Sequence, residues 1–207
     1  MFNSDKAQLI NNPYLEKFNA YRRASRKASG AFSVWNLEHR DKLRKEFSHS
    51  VADDETVSTV ASYCRDKPLI DIGAGTGYWS YLLDQMGIEC HAYDTEPYEN
   101  IYCNGHWYNV VKGAPEDIKA RNYTSANVFL SWPPYSDPLA EEALKLYLDL
   151  ADPGYFIYIG ESRGNATGDD GFFDLLESSC YKLRVIQNPH YSGLHDQVEI
   201  YKKLETQ

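Results

Sequence analysis

The amino-acid sequence predicts an α/β fold: one mostly parallel, seven-stranded sheet with a C-terminal antiparallel hairpin and an N-terminal helical extension. From residue 51 onward, short apolar runs alternate with segments of helical periodicity, which favours parallel strands joined by helices. The last two apolar runs are joined by a loop without a helical pattern, which favours an antiparallel pair. The chain has 207 residues, 43% of them hydrophobic, so a single domain can bury its own core.

The expected boundary lies near residue 50, with a basic helical extension over 1–50 and the α/β domain over 51–207. Helices are expected over 13–28, through Leu43 and Phe47, over 53–64, over 79–86, after Asp137-Pro138 and after Asp169 or Asp170; strands are expected over 68–72, 88–93, 107–111, 127–130, 155–159, 181–187 and 197–203. Ligands bind beyond the carboxyl ends of the strands in such sheets. We therefore expect the chemistry just after the five parallel strands, following Ile72, Tyr93, Val111, Leu130 and Ile159.

Charge is unevenly distributed along the chain. Residues 1–50 carry ten basic and five acidic residues, whereas the whole chain has a net charge of −9. Arg22, Arg23, Arg26 and Lys27 form one basic run, which favours contact with a phosphate because Lys and Arg displace counterions; a solvated helix face explains the run equally well. The remaining residues are acidic, so a nucleic acid would approach along the extension, and a small-molecule substrate is the other class of partner.

Several classes of protein are excluded or disfavoured by composition. No uncharged apolar run reaches the ~18 residues of a membrane span, and the first residues lack the apolar core of a signal peptide. We therefore expect a cytoplasmic protein that does not enter a membrane. The four cysteines are scattered without a C-x-x-C pair, which favours reduced thiols, and we expect no metal site. The oligomeric state is left open.

A glycine-rich loop, Asp71-Ile72-Gly73-Ala74-Gly75-Thr76-Gly77, follows the first predicted strand. Alternating glycines let the backbone turn tightly and approach a ligand closely. A nicotinamide-binding loop would place its third glycine at Tyr78, and a phosphate-binding Walker loop would need a lysine. A carboxylate two positions before the first glycine suits a cationic ligand better than a pyrophosphate. The alternative is a tight turn that binds nothing.

This loop resembles motif I of class I S-adenosylmethionine-dependent methyltransferases, which have a Rossmann-like seven-stranded sheet, and the resemblance covers residues 50–203. It implies that S-adenosylmethionine is the cofactor. The implied contacts are Asp71, Gly73, Ala74, Gly75, Thr76, Gly77, Tyr78, Trp79, Asp94, Thr95, Ala114 and Pro115. Within that set the resemblance implies that Asp94 accepts hydrogen bonds from the ribose hydroxyls, and that Ala114 and Pro115 flank the adenine.

The segment Ser131-Trp132-Pro133-Pro134-Tyr135 follows the fourth predicted strand and resembles motif IV of amino-methyltransferases. In that motif a side-chain oxygen and a proline carbonyl accept the hydrogens of an exocyclic amine, and the aromatic residue stacks on the ring. This chain departs from the pattern, because Trp132 stands where the family has Asp, Asn or Ser, and tryptophan can only donate. Ser131 could accept instead if the loop were shifted; a rigid strand-to-helix connection is the alternative.

The chain also resembles a small group of methyltransferase-like proteins that share Gly73–Trp79, Trp132–Tyr135, Thr167–Asp170 and Gly193–Asp196. That resemblance implies no substrate.

Two further side chains are candidates for acid–base chemistry. Glu161 follows the fifth predicted strand as a general base or amine ligand, and His195 is a candidate proton acceptor; the alternatives are a carboxylate that caps nearby N–H groups and a structural His–Asp pair. The expected function is S-adenosylmethionine-dependent methylation of an amino nitrogen on a nucleobase of DNA or RNA, or on a similar planar amine. A small-molecule N- or O-methyltransferase and a non-catalytic binding module with this fold are the alternatives.

Overall fold

A computed structural model describes residues 10–25 and 34–205. Its helices are α1 (Pro13–Ser25), α2 (Val34–Glu46), α3 (Asp54–Cys64), α4 (Tyr78–Asp84), α5 (Pro115–Lys119), α6 (Leu139–Asp149) and α7 (Asp170–Ser179). Its strands are β1 (Leu69–Ile72), β2 (Cys90–Asp94), β3 (Val110–Lys112), β4 (Ser125–Ser131), β5 (Asp152–Gly160), β6 (Cys180–Gln187) and β7 (Gln197–Lys203). No helix in these two ranges is long and apolar enough to cross a membrane.

The strands form one seven-stranded sheet in the order β3-β2-β1-β4-β5-β7-β6. The first five strands run parallel, and β7 is antiparallel to both β5 and β6. This arrangement confirms the predicted mostly parallel sheet with a C-terminal antiparallel hairpin. The chain leaves β1 toward β2 on one side and returns to β4 on the other. Strand order therefore switches beside β1, where a ligand crevice is expected in open α/β sheets.

Most element boundaries follow the sequence pattern, and the exceptions have physical causes. Asp53 and Asp169 cap α3 and α7 as expected, accepting from the backbone N–H three residues later at 2.9 and 3.0 Å. β3 begins at Val110 and not at residue 107, because Trp107 turns its ring into the core against Phe47. The short helix α5 was not expected from the sequence.

The N-terminal extension shares one hydrophobic core with the α/β domain. Tyr14 and Phe18 of α1 are fully buried, and Phe47 is 1% exposed. The Tyr14 ring stacks on Phe47 at 4.9 Å between centroids, and the Phe18 ring meets Tyr191 edge-on at the same distance. The Tyr78 hydroxyl accepts from the Tyr14 backbone N–H at 3.0 Å. Residues 10–25 and 34–50 of the extension therefore pack into the core of the α/β domain.

Truncation of Phe47 tests this integration. Phe47→Ala should lower the free energy of unfolding by about 3–5 kcal/mol, the usual loss for a buried phenylalanine. Leu37→Ala, on α2 but 38% exposed, is the matched control and should cost less than about 1 kcal/mol. Urea unfolding followed by circular dichroism measures both. Equal losses for the two variants would contradict a shared core.

Candidate functional site

A cleft of about 760 Å³ opens at the carboxyl edge of β1, β2 and β4. Sixteen of the residues that were predicted to contact the cofactor or the substrate line this cleft: Asp71, Gly73, Ala74, Gly75, Thr76, Tyr78, Trp79, Asp94, Thr95, Ala114, Pro115, Ser131, Trp132, Pro133, Pro134 and Tyr135. Four separate stretches of sequence thus meet on one surface, as the strand order requires. Among the described residues, no group of three or more His, Cys, Asp or Glu side chains is placed to hold a metal ion.

The glycine loop between β1 and α4 turns through left-handed backbone conformations. Gly73, Gly75 and Gly77 have φ values of 69°, 55° and 76°, a region that L side chains rarely adopt. Gly73 and Gly75 line the cleft, whereas Gly77 does not. A Cβ at Gly77 would lie 2.7 Å from the Tyr108 Cβ, so this glycine permits close packing of the loop on the next segment. The structure therefore corrects the expectation that Gly77 faces the ligand.

The Asp94 carboxylate at the end of β2 holds the glycine loop in place. Its Oδ2 accepts the Gly75 backbone N–H at 2.8 Å, and its Oδ1 accepts the Glu96 N–H at 2.8 Å. A carboxylate has about four lone-pair positions, so two remain after these bonds. Asp94 lines the cleft and is half-buried, which leaves it able to accept further hydrogen bonds there.

Asp71 is a buried carboxyl group beneath the loop. It is 2% exposed, and the Ser80 hydroxyl donates to its Oδ2 at 2.7 Å. Burial raises the pKa of Asp71 to about 7, the Ser80 hydrogen bond opposes that shift, and the nearby Asp94 adds to it. A cation bound in the cleft would favour the ionised form, so this group is suited to respond to a positively charged ligand.

The 45–50 segment, which links α2 to α3, forms one wall of the cleft. The Lys45 and Glu46 carbonyls accept from Asn104 N–H at 2.7 Å and from Trp107 Nε1 at 2.8 Å. The Thr76 hydroxyl donates to the Phe47 carbonyl. These bonds fix the extension to the glycine loop and to the β2–β3 connection. The Ser50 hydroxyl adds the end of β4, through Ser131.

The segment 131–135 after β4 is held in an unusual conformation. Trp132 has a φ of 53°, and its backbone N–H donates to the Ile159 carbonyl at 2.7 Å. Its indole Nε1 is buried, and no acceptor lies in good hydrogen-bond geometry, although the indole lies near enough to the Asp196 carboxyl to oppose the rise that burial causes in its pKa. The Pro133 carbonyl accepts from Gly168 N–H at 3.4 Å. Tyr135 is 54% exposed at the cleft mouth.

Ser131 belongs to a chain of hydrogen bonds beneath the cleft. The Trp79 Nε1 donates to the Ser50 Oγ at 2.7 Å, and the Ser50 and Ser131 hydroxyls lie 2.9 Å apart. The loop is thus not shifted in a way that would free Ser131 to take the place of an acceptor at position 132. An exocyclic amine would find one hydroxyl and one carbonyl here, both already hydrogen-bonded.

The extension contributes four residues to the cleft lining that were not predicted from the sequence. Arg44, Phe47, Ser48 and His49 line it, yet no motif or spacing identifies them. The His49 ring lies 5.9 Å from the Trp132 ring. Burial lowers the pKa of His49 to about 3, with a further contribution from the Arg44 charge, so its imidazole is neutral at physiological pH.

The described part of the basic run does not line the cleft. Arg22 and Arg23 lie on α1 with exposed side chains, and neither lines the cleft. The Arg22 guanidinium lies 5.6 Å from the Phe18 ring centroid. Arg26 and Lys27 lie outside the described residues, so the expected phosphate contact stays a prediction for them.

Glu161 and His195 also lie outside the cleft lining. Glu161 is 7% exposed, and its two carboxylate oxygens accept the His195 N–H at 2.9 Å and the Ala166 N–H at 3.2 Å. The His195 side chain is exposed. The Glu161 carboxylate thus joins two loops through backbone N–H groups, and acid–base roles at Glu161 and His195 stay predictions.

Replacement of Asp71 should reveal its buried charge. An aspartate with a raised pKa takes up a proton in the folded state, so its contribution to stability falls as pH rises from about 4 to about 7. The free energy of unfolding of Asp71→Asn, relative to that of the wild type, should therefore rise by roughly 2 kcal/mol between pH 5 and pH 8, because each pKa unit corresponds to about 1.4 kcal/mol. Urea unfolding at both pH values measures this gap. Asp66→Asn, at an exposed position, is the control, and a gap that does not change with pH would contradict the assignment.

Comparison with known proteins shows the fold. The chain is similar to a variant of MtNAS solved in complex with S-adenosylmethionine (14% identity, 93% of this chain and 72% of that chain, TM-score 0.51). It is also similar to the CcbJ methyltransferase from Streptomyces caelestis (12% identity, 73% and 89%, TM-score 0.50) and to TehB from Haemophilus influenzae (12% identity, 80% and 67%, TM-score 0.50). No protein-family model and no curated protein sequence matches the chain. The solved structures agree with the seven-stranded Rossmann-like architecture described above.

Proposed function

We propose that this protein is an S-adenosylmethionine-dependent methyltransferase whose cofactor lies in the cleft along the glycine loop. The observation that carries the proposal is the Asp94 carboxylate, which holds the loop through Gly75 while keeping lone pairs available at the cleft. Two proteins of similar structure support the proposal: one is a methyltransferase, and the other was solved with S-adenosylmethionine. The resemblance of the glycine loop to motif I supports it as well.

The residues present fit such a cofactor. Asp94 would accept hydrogen bonds from the ribose hydroxyls, and Ala114 and Pro115, which also line the cleft, would flank the adenine. The bare backbone at Gly73 and Gly75 allows close approach. The buried Asp71 carboxyl would favour the cationic end of the molecule. S-adenosylmethionine supplies a methyl group on a sulfonium; its transfer breaks the carbon–sulfur bond, forms a bond to the acceptor nucleophile and leaves a neutral thioether.

The chain contributes alignment and exclusion of water more than acid–base chemistry. Trp132 and Tyr135 supply flat surfaces beside the glycine loop, and Ser131 lies at the base of the same wall. Holding two reactants in line supplies a large share of the acceleration in such transfers. These aromatic groups suit a planar acceptor, in keeping with the hypothesis of a nucleobase amine or similar planar amine.

The cleft favours a small planar acceptor over a nucleic-acid strand. Six carboxyl groups line it, against one guanidinium: Asp71, Asp94, Glu96, Glu116, Asp137 and Glu142, against Arg44. A phosphodiester backbone would be repelled by such a surface. Trp132 also offers no acceptor where the amino-methyltransferase motif has one, which weakens the case for an exocyclic amine. We therefore place small-molecule N- or O-methylation first and nucleobase methylation of DNA or RNA second.

Calorimetric titration tests the cofactor. S-adenosylhomocysteine should bind with micromolar affinity and NADH should not. Asp94→Ala should weaken that affinity at least 10-fold, because it removes both the ribose acceptor and the anchor of Gly75. Glu99→Ala, an exposed acid outside the lining, is the control and should bind as the wild type does. Absence of binding to the wild type would refute the proposal.

Transfer of a radiolabelled methyl group tests catalysis. Adenosine, cytidine, a single-stranded oligonucleotide and a panel of aromatic amines and phenols serve as acceptors. Tyr135→Ala should lower turnover of the accepted probe at least 10-fold with unchanged affinity for S-adenosylhomocysteine, whereas Tyr181→Ala, exposed on β6, should change neither. A preference for the oligonucleotide that falls steeply with salt would favour the nucleic-acid hypothesis. Cofactor binding without transfer to any probe would favour the binding module.

A further inference from the structure

Two arginines of α2 carry charges that the described part of the chain does not neutralise. Arg40 and Arg44 are four residues apart and so share one face of the helix. Neither forms an ion pair within 4.0 Å with any described carboxylate. The Nε–H of each is buried without an acceptor. Such groups are normally paired, because a buried donor without a partner loses its hydrogen bonds to water.

The surroundings make this pair still less favourable in the absence of a ligand. Burial lowers the pKa of Arg44, and the like charge of Arg40 lowers it further. A guanidinium nevertheless remains protonated in proteins, so the charge persists. The nearby acids have other partners: Asp41 pairs with Lys45 at 3.3 Å, and the Asp196 carboxylate accepts from Asn188.

The position of Arg44 connects this charge to the cleft. Arg44 lines it, with the guanidinium carbon 5.0 Å from the Trp132 ring centroid. His49 lies against the same indole and is neutral. Neither the residues 47–50 nor the residues 131–135 include a carboxylate, although the Trp132 indole lies near the buried Asp196 carboxyl. Arg44 is the one cationic side chain among the described residues that line the cleft, and it lies beside an aromatic ring, whereas the glycine-loop end carries Asp71 and Asp94.

We propose that Arg44, supported by Arg40, is the binding residue for a carboxylate in this cleft. The planar fork of a guanidinium matches a carboxylate through two parallel hydrogen bonds. A carboxylate with its single charge suits a cleft lined by six acids better than a phosphate dianion does. The carboxylate has two candidate sources, the amino-acid portion of S-adenosylmethionine and the methyl acceptor, and naming the first of them rests on the proposed function.

A binding cycle tests the cofactor as the source. S-adenosylhomocysteine and its decarboxylated analogue are titrated by calorimetry into the wild type, Arg44→Gln and Lys42→Gln. If Arg44 binds the cofactor carboxylate, Arg44→Gln weakens S-adenosylhomocysteine at least 10-fold and leaves the analogue unchanged. Lys42 is exposed on the same helix outside the cleft lining, so Lys42→Gln controls for a general loss of charge and should affect neither ligand.

Matched acids and amides test the acceptor as the source. Benzoate and 2-aminobenzoate are compared with benzamide and 2-aminobenzamide by ligand-observed NMR, with and without saturating S-adenosylhomocysteine. If Arg44 binds the acceptor, the wild type favours the acids at least 5-fold and Arg44→Gln removes the preference. Arg44→Lys, which keeps the charge without the fork, should show an intermediate preference, and the melting temperature of each variant verifies its fold.

The two arms separate failure of this inference from failure of the proposed function. Wild-type protein that does not bind S-adenosylhomocysteine defeats the proposed function, while the acid–amide comparison without cofactor still tests Arg44. If Arg44→Gln does not fold, Arg44→Lys carries the same comparisons. The inference is overturned if replacing Arg44 changes neither the discrimination between S-adenosylhomocysteine and its analogue nor that between acids and amides, or if the wild type itself makes no such discrimination.

Discussion

The attachment of the 45–50 segment across the carboxyl edge of the sheet is the constraint on which the site depends. Its backbone carbonyls accept hydrogen bonds from the β2–β3 connection and from the glycine loop, and its Ser50 hydroxyl joins Trp79 to Ser131. Gly105 allows the 45–50 segment to pack closely on the β2–β3 connection, because a Cβ at this position would lie 2.3 Å from the Glu46 carbonyl oxygen. A basic helical extension thereby becomes one wall of a cleft in an acidic domain.

The same attachment makes the cleft electrically polarised. Buried and half-buried carboxylates surround the glycine loop, and the extension delivers a guanidinium and a neutral imidazole to the opposite end. A molecule with a cationic centre and an anionic or aromatic end complements both halves. This polarity argues against a simple stacking surface for bases.

The sequence pattern predicted those parts of the molecule whose conformation depends on residues close together in the chain. Strand and helix alternation gave the sheet, and the glycines marked the backbone where left-handed conformations occur at Gly73 and Gly75. The wall made by Arg44 and His49 could not be predicted, because it comes from a segment remote in sequence and held by backbone carbonyls, which leave no residue signature. The surroundings of Glu161 could not be predicted for a related reason: its carboxylate accepts two backbone N–H groups, and a sequence does not show them.

Hydrogen–deuterium exchange with and without S-adenosylhomocysteine tests the central claim that the extension and the glycine loop form one ligand cleft. We predict that ligand binding slows hydrogen exchange at two sets of amides together: those of Gly75 and Glu96, which are bonded to Asp94, and those of residues 47–50. Protection confined to the glycine loop, with residues 47–50 unchanged, would contradict the claim that the extension forms part of the site.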